Sequence, residues 1–244
     1  MHKAIAERIV EAAKLPAYAT VVEIGPGTGI LTRALLAKAT KIIGIEADPR
    51  LYDELVTTFA EEIALKTFEP LLADIRTFDI EDLPTDYHVV ANIPYYLTGE
   101  ILERFLSARN QPTSMTLLIQ KEVAVRIVAR PKNPSTHARG KESILSLSVK
   151  AYGTPAIAFT VPRGAFIPAP SVDSAVLTIH NISRAAFADL AHEKRFFEYL
   201  HAGFGQKRKV LAKNLELSGL VTPKNLGHAR AEDVPLALWL SLSR

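Results

Sequence analysis

Residues 21–36 read VVEIGPGTGILTRALL, a β-branched run that meets three alternating glycines and then a helical pattern. A strand of this kind, apolar on both faces, belongs to the interior of a largely parallel sheet. Gly25, Gly27 and Gly29 let the backbone turn sharply into the helix and approach a ligand closely. A strand–turn–helix opening this near the N-terminus points to an α/β sheet whose ligands sit beyond the strand ends.

The next hundred residues repeat the alternation. KIIGIE (41–46), HVVANI (88–93) and TSMTLLIQ (113–120) read as buried strands, and a further short strand is expected within 63–73, ending near Asp74. Helical patterns lie between them at Ile30–Ala39, Arg50–Ala60 and Thr98–Ala108. In the last of these Ile101, Leu102, Phe105 and Leu106 share one face. KEVAVRIVAR (121–130) is amphipathic and stops at Pro131; PKNPSTHARGK (131–141) reads as a basic loop. A helix near 143–152 and strands near 155–161 and 174–180 complete the sheet. From Asn181 on, the pattern turns to helices only: Glu193–Phe204, Lys209–Leu217 and a last one ending at Trp239–Leu242. The expected division is residues 1–180 for the α/β domain and 181–244 for a small helical domain.

Charge also divides along the chain, at an earlier point. Residues 1–120 hold 11 Lys and Arg against 17 Asp and Glu, whereas residues 121–244 hold 18 against 9. The basic C-terminal half, with QKRK at 206–209, suggests a polyanionic partner; a merely solvated face is the alternative. The longest stretch without Asp, Glu, Lys or Arg is 13 residues, 87–99, against the roughly 20 apolar residues a membrane helix needs. The N-terminus lacks a signal-peptide core. A cytoplasmic protein without a membrane span is expected. With no cysteine, disulfides, thiolate zinc sites and cysteine nucleophiles are excluded. The seven histidines form no ligand-like cluster, and no metal is expected.

Three acidic or amide positions follow strand ends. The glycines are spaced G-x-G-x-G rather than the G-x-G-x-x-G of dinucleotide folds, a variant typical of S-adenosylmethionine (SAM) methyltransferases, although a structural tight turn would look the same. Glu46 closes the second strand 17 residues beyond Gly29, the place from which a carboxylate grips ribose hydroxyls. Asp74 could accept a hydrogen bond from an adenine amino group, or serve simply as a turn residue. ANIPYYLT (91–98) has a chemical logic of its own. The exocyclic amine of adenine is a poor nucleophile because its lone pair is delocalised into the ring. Accepting its two N–H bonds at the Asn92 side-chain oxygen and the Ile93 carbonyl favours a tetrahedral nitrogen with its lone pair free. Pro94 fixes the turn, and Tyr95 offers a face for an extruded base.

The ordered set VEIGPGTG, IEAD, LLAD, ANIPYYLTGEIL, LLIQKEVAVRI, SLSV, AFIPAPSVDSAV (165–176) and FGQKRKVLAKNL (204–215) resembles the KsgA family of rRNA adenine N6,N6-dimethyltransferases and their relatives the Erm-type rRNA methylases. The last two blocks separate it from DNA adenine methyltransferases. The resemblance implies a Rossmann-like SAM-dependent methyltransferase sheet with a small all-helical C-terminal domain. It implies that Gly25, Gly27, Glu46, Asp74 and Asn92 serve the cofactor, and that Asn92 and Tyr95 position the adenine with Phe166 on its other face. Gln206, Lys207, Arg208 and Lys209 would contact RNA phosphates. The expected partner is ribosomal RNA of the small subunit and the expected state a monomer. Modification of large-subunit rRNA, or an assembly role that outweighs catalysis, are the alternatives; an NAD-linked oxidoreductase fails on the glycine spacing. The family's usual Gln-x-Phe-Leu segment, which covers the cofactor, does not precede MHKAIAERIV here, so weak SAM binding is expected of this chain. RGKESILSLSV also stands where the family more often has Tyr-Gly-x-Leu-Ser-Val.

Overall fold

The computed structural model describes residues 2–129, 140–222 and 226–244. The loop read at 131–141 therefore lies, up to residue 139, outside the described residues. In chain order the elements are α1 (Lys3–Ala13), β1 (Thr20–Ile24), α2 (Ile30–Leu36), β2 (Lys41–Glu46), α3 (Pro49–Thr58), α4 (Ala60–Ala64), β3 (Phe68–Leu72), β4 (Tyr87–Asn92), α5 (Thr98–Ser107), β5 (Ser114–Gln120), α6 (Lys121–Val128), α7 (Ile144–Tyr152), β6 (Thr154–Val161), β7 (Ser174–His180), α8 (Leu190–Phe204), α9 (Leu211–Leu217) and α10 (Leu236–Leu242).

Among the described residues seven strands form one sheet, ordered β3-β2-β1-β4-β5-β7-β6. The first five in that order run parallel, and β7 runs antiparallel to both its neighbours. This is the doubly wound, Rossmann-like sheet read from the sequence. The crossover from β1 turns one way to β2 and the other way to β4, so a crevice opens beyond the carboxyl ends at the β1/β4 boundary. Because β7 is reversed, its first residue, Ser174, pairs with the last residue of β5, Gln120, and reaches this same edge. The loop joining β6 to β7 hangs from it as well.

Burial explains why these segments hold. The last four residues of β1 and the last five of β2 are all buried, as a strand covered by helices on both faces must be. In α1 the buried set is Ala6, Ile9, Val10 and Ala13, the spacing of one helical face. Ile9 and Val10 each contribute about 1.5–3 kcal/mol by leaving water. That face packs on α2 and the sheet. Phe59 and Phe68 meet edge to face with centroids 5.2 Å apart, closing α3 and α4 over β3. The sequence pattern does not mark α4 as a separate helix: the backbone breaks at Phe59 (φ −113°, ψ 30°), where there is no glycine or proline.

The chain divides into two compact units, residues 1–124 with 154–182, and residues 125–153 with 183–244. The later junction falls beside the boundary expected at 180, but 125–153, expected in the first domain, belongs to the second unit. The reason is aromatic packing. Tyr152 stacks on Phe197 at 6.0 Å and meets Phe187 edge on at 5.5 Å, and its hydroxyl donates to Glu193. Within the second unit α8, α9 and α10 enclose Trp239, which is fully buried and stacks on Phe204. Buried Glu142 pairs with Lys150 at 2.8 Å and accepts from the Ser146 hydroxyl. No helix among the described residues is long and apolar enough to cross a membrane.

Candidate active site

The site is a row of strand ends. At the end of β1 the backbone enters the left-handed region at Gly25 (φ +66°), Gly27 (+59°) and Gly29 (+74°). The last two differ in what they allow. A Cβ on Gly29 would stand 2.4 Å from the Phe59 ring, so packing demands glycine there. A Cβ on Gly27 would find only the Gly25 carbonyl oxygen, at 4.0 Å. The floor formed by Gly25 and Gly27 is therefore open to an incoming group.

Glu46, at the end of β2 and buried, fastens this floor. Its Oε2 accepts from Gly27 N at 2.9 Å, and its Oε1 accepts from Ala47 N and Asp48 N at 2.9 and 3.0 Å. Each carboxylate oxygen has two lone pairs; Oε1 is filled and Oε2 keeps one. Behind it, on β1, Glu23 is buried and accepts from the Thr32 hydroxyl at 2.7 Å. Burial pushes its carboxyl up to about 8, against the Thr32 bond and helped by nearby Glu46.

Asp74 follows β3. Its Oδ1 accepts from Arg76 N at 2.9 Å, the turn role that was the alternative reading, and both its oxygens are gripped by the Arg76 guanidinium at 2.5–3.0 Å. The Arg76 hydrogen bonds hold the carboxyl at about 2, ionised throughout the physiological range. Nothing in LLADIR betrays this ion pair, because a neighbouring arginine more often points to solvent.

Asn92 ends β4, paired in register with Leu118. It is exposed, and its side chain has no hydrogen-bond partner among the described residues. Pro94 then starts a 3-10 turn over Tyr95–Leu97, and Thr98 Oγ1 donates to the Tyr95 carbonyl at 3.0 Å as α5 begins. The half-buried Tyr95 is tethered: its hydroxyl lies 2.7 Å from the Ser174 hydroxyl at the start of β7. Ser174 belongs to the VDS block, but only the reversed strand explains why it reaches Tyr95.

Phe166 sits in the β6–β7 loop, half-buried against the edge of the core. Asp173 steadies that loop by accepting from Arg163 N at 3.0 Å. The crevice edge thus gathers Gly25, Gly27, Glu46, Asp74, Asn92 and Tyr95 from four neighbouring strand ends, with the Phe166 loop on the same edge. Gln206, Lys207, Arg208 and Lys209 lie in the other unit. They form an exposed turn between α8 and α9 rather than the start of a helix, closed by Lys209 N donating to the Gln206 carbonyl at 3.1 Å.

Two comparisons agree on the family, and a third on the fold. The family model described as "Ribosomal RNA adenine dimethylase" matches residues 1–243. A protein of Dehalococcoides mccartyi named "Ribosomal RNA small subunit methyltransferase A" is 36% identical over 251 aligned positions, covering 98% of this chain and 82% of that one. Among solved structures, a dimethyladenosine transferase from Plasmodium falciparum superimposes with a TM-score of 0.81 at 24% identity, covering 99% of this chain and 94% of that one. The 23S rRNA methyltransferase ErmE follows at 0.73 and 24%, covering 100% and 97%. At that identity the two structures speak for the fold.

Proposed function

This chain belongs to the ribosomal RNA adenine dimethylase family, and from that premise we propose that it transfers two methyl groups from SAM to N6 of adenosines in small-subunit ribosomal RNA. The residues present fit such a cofactor, because the Gly25–Gly27 floor is open and Glu46 Oε2 keeps an acceptor site beside it. When bound, SAM supplies an electrophilic methyl group on a sulfonium. Glu46 would take a ribose hydroxyl on its remaining lone pair. Asp74, kept ionised by Arg76, would accept from the cofactor's adenine amine.

Asn92 acts at the nucleophile. Its Oδ1 and the Ile93 carbonyl would accept the two N6–H bonds of the target adenosine and leave the nitrogen lone pair free. Tyr95 would give one face to the extruded base, its ring held by Ser174, and Phe166 the other. Gln206, Lys207, Arg208 and Lys209 would bind RNA phosphates. The proton released on nitrogen passes to water. Positioning supplies most of the acceleration.

One observation carries this reading: Asn92 stands exposed with an unpartnered amide at a strand end, beside a tethered tyrosine and two strands from an anchored carboxylate. The test is methylation of unmodified small- and large-subunit rRNA with radiolabelled SAM, followed by nuclease digestion and mass spectrometry. Dimethyladenosine in small-subunit rRNA is the expected product. Label confined to large-subunit rRNA, or none in either, overturns the assignment.

A further inference from the structure

Two consecutive tyrosines in NIPYY have opposite fates. Tyr95 points toward β7, where Ser174 binds it. Tyr96 is 81% exposed, among the most exposed large side chains of the described residues. In a 3-10 turn successive side chains are rotated by about a third of a turn, so a tethered Tyr95 fixes where Tyr96 goes. The α5 helix that Tyr96 leads into is bonded to the segment after β3, through Arg104 and the Phe78 carbonyl. The guanidinium of Arg76 is held above its ordinary range chiefly by Asp74, with smaller contributions from Tyr96 and Glu100. This neighbourhood is built, not incidental. Arg104 of α5 donates to the Phe78 carbonyl at 2.6 Å, pinning the 74–78 turn against the helix that Tyr96 leads into.

A single exposed ring is ordinary on a protein surface, but one that leads into a helix bonded to an ordered guanidinium segment offers a held face for stacking. Arg76, meanwhile, is pre-ordered. Its Nε and one Nη2 hydrogen are taken by Asp74, and of five N–H donors three remain. From the ring and the fork together we infer that Tyr96 and Arg76 form a subsite for the nucleotide adjoining the target adenosine, its base stacked on Tyr96 and its sugar–phosphate bonded to the free donors of Arg76. Extruding one base from single-stranded or unpaired RNA leaves its neighbour unstacked, and an aromatic face replaces the missing stacking without regard to sequence. Asp74 and Glu100 lower the local positive charge, so the ring carries more of the recognition than the cation. The inference rests on the methyltransferase reading above.

The test uses the full chain, Tyr96→Ala and Tyr96→Phe, with S-adenosylhomocysteine calorimetry and steady-state methylation of a synthetic rRNA fragment. In Tyr96→Ala, KM for RNA should rise about tenfold while kcat and S-adenosylhomocysteine affinity stay at the wild-type values. Tyr96→Phe should behave as wild type. An abasic nucleotide beside the target should weaken the wild type to the level of Tyr96→Ala and leave Tyr96→Ala unchanged. If Tyr96→Ala instead loses S-adenosylhomocysteine affinity, the ring covers the cofactor and the inference is wrong. It is wrong also if Tyr96→Ala matches an active wild type. A wild type that does not methylate the fragment would count against the assigned reaction rather than against this subsite.

Discussion

Glu46 accepts the backbone N–H of Gly27 at 2.9 Å across nineteen residues of sequence. The carboxylate thus sets the height of the glycine turn while also facing the crevice. Glu46→Gln would turn an NH2 group toward backbone donors it cannot satisfy. A buried donor without an acceptor costs about 1–3 kcal/mol, so urea unfolding should show a loss of that size. S-adenosylhomocysteine binding by calorimetry should fall with it. An unchanged unfolding midpoint would mean that the turn does not depend on this bond.

Glu23 makes stability depend on pH in an uncommon direction. Burial holds its carboxyl up to about 8 in the fold, against an ordinary value of 4.5. Between those values the folded state keeps a proton that the unfolded chain has released, so stability from this group falls as pH rises and levels off above 8. Glu23→Gln keeps an acceptor for Thr32 and has nothing to ionise. Urea midpoints should decline less from pH 6 to pH 8 in Glu23→Gln than in the wild type. Parallel declines would remove Glu23 as the source.

Asn92→Ala separates catalysis from folding. The side chain is exposed and unpartnered among the described residues, and such surface changes stay within about 0.5 kcal/mol. Methyl transfer should be abolished while the melting temperature holds. Near-normal turnover in this variant would refute the role given to the amide.

Gly203 has no room for a methyl group: a Cβ would stand 2.4 Å from the Trp239 ring and 2.7 Å from Leu211. Gly203→Ala should destabilise the helical unit by about 1–3 kcal/mol, the usual cost of overpacking, read as a red shift of Trp239 emission that occurs at lower denaturant than in the wild type. A Trp239 transition at the wild-type midpoint would contradict the packing described.

Neutralising Lys207, Arg208 and Lys209 together should weaken rRNA binding and flatten its salt dependence. Each phosphate that is no longer neutralised lowers the log–log slope by roughly 0.7–0.9. A slope equal to the wild type would assign the exposed turn to solvent.

What the sequence made legible was periodicity and punctuation. Apart from β3, the strands read from the sequence end within one residue of their observed limits, because buried β-branched runs and strand-end polar residues mark both ends. The glycine turn, Glu46 and Asn92 are readable for the same reason. Long-range partnerships are not. No local pattern announces that Ser174 touches Tyr95 79 residues away, because that bond depends on β7 running backwards. Arg76 gripping Asp74 is local, yet an exposed arginine two residues from an aspartate has many equivalent rotamers. The assignment of 125–153 to the helical unit is hidden in aromatic packing between Tyr152 and residues more than 30 positions later. The last helix but one is read as starting at Lys209 rather than at the observed Leu211 because lysine favours helix intrinsically.

The reversed strand β7 has an evolutionary consequence. Since β6 and β7 pair along their length from Thr154↔His180 to Val161↔Ser174, the loop between them is the tip of a hairpin with both stems locked in the sheet. Residues can be inserted or removed at such a tip without altering any strand's neighbours, because closing a longer loop costs little. The rim beside Asn92 can therefore be re-shaped by indels while the catalytic turn stays still. Rim shape and catalytic geometry are thereby free to diverge on separate schedules.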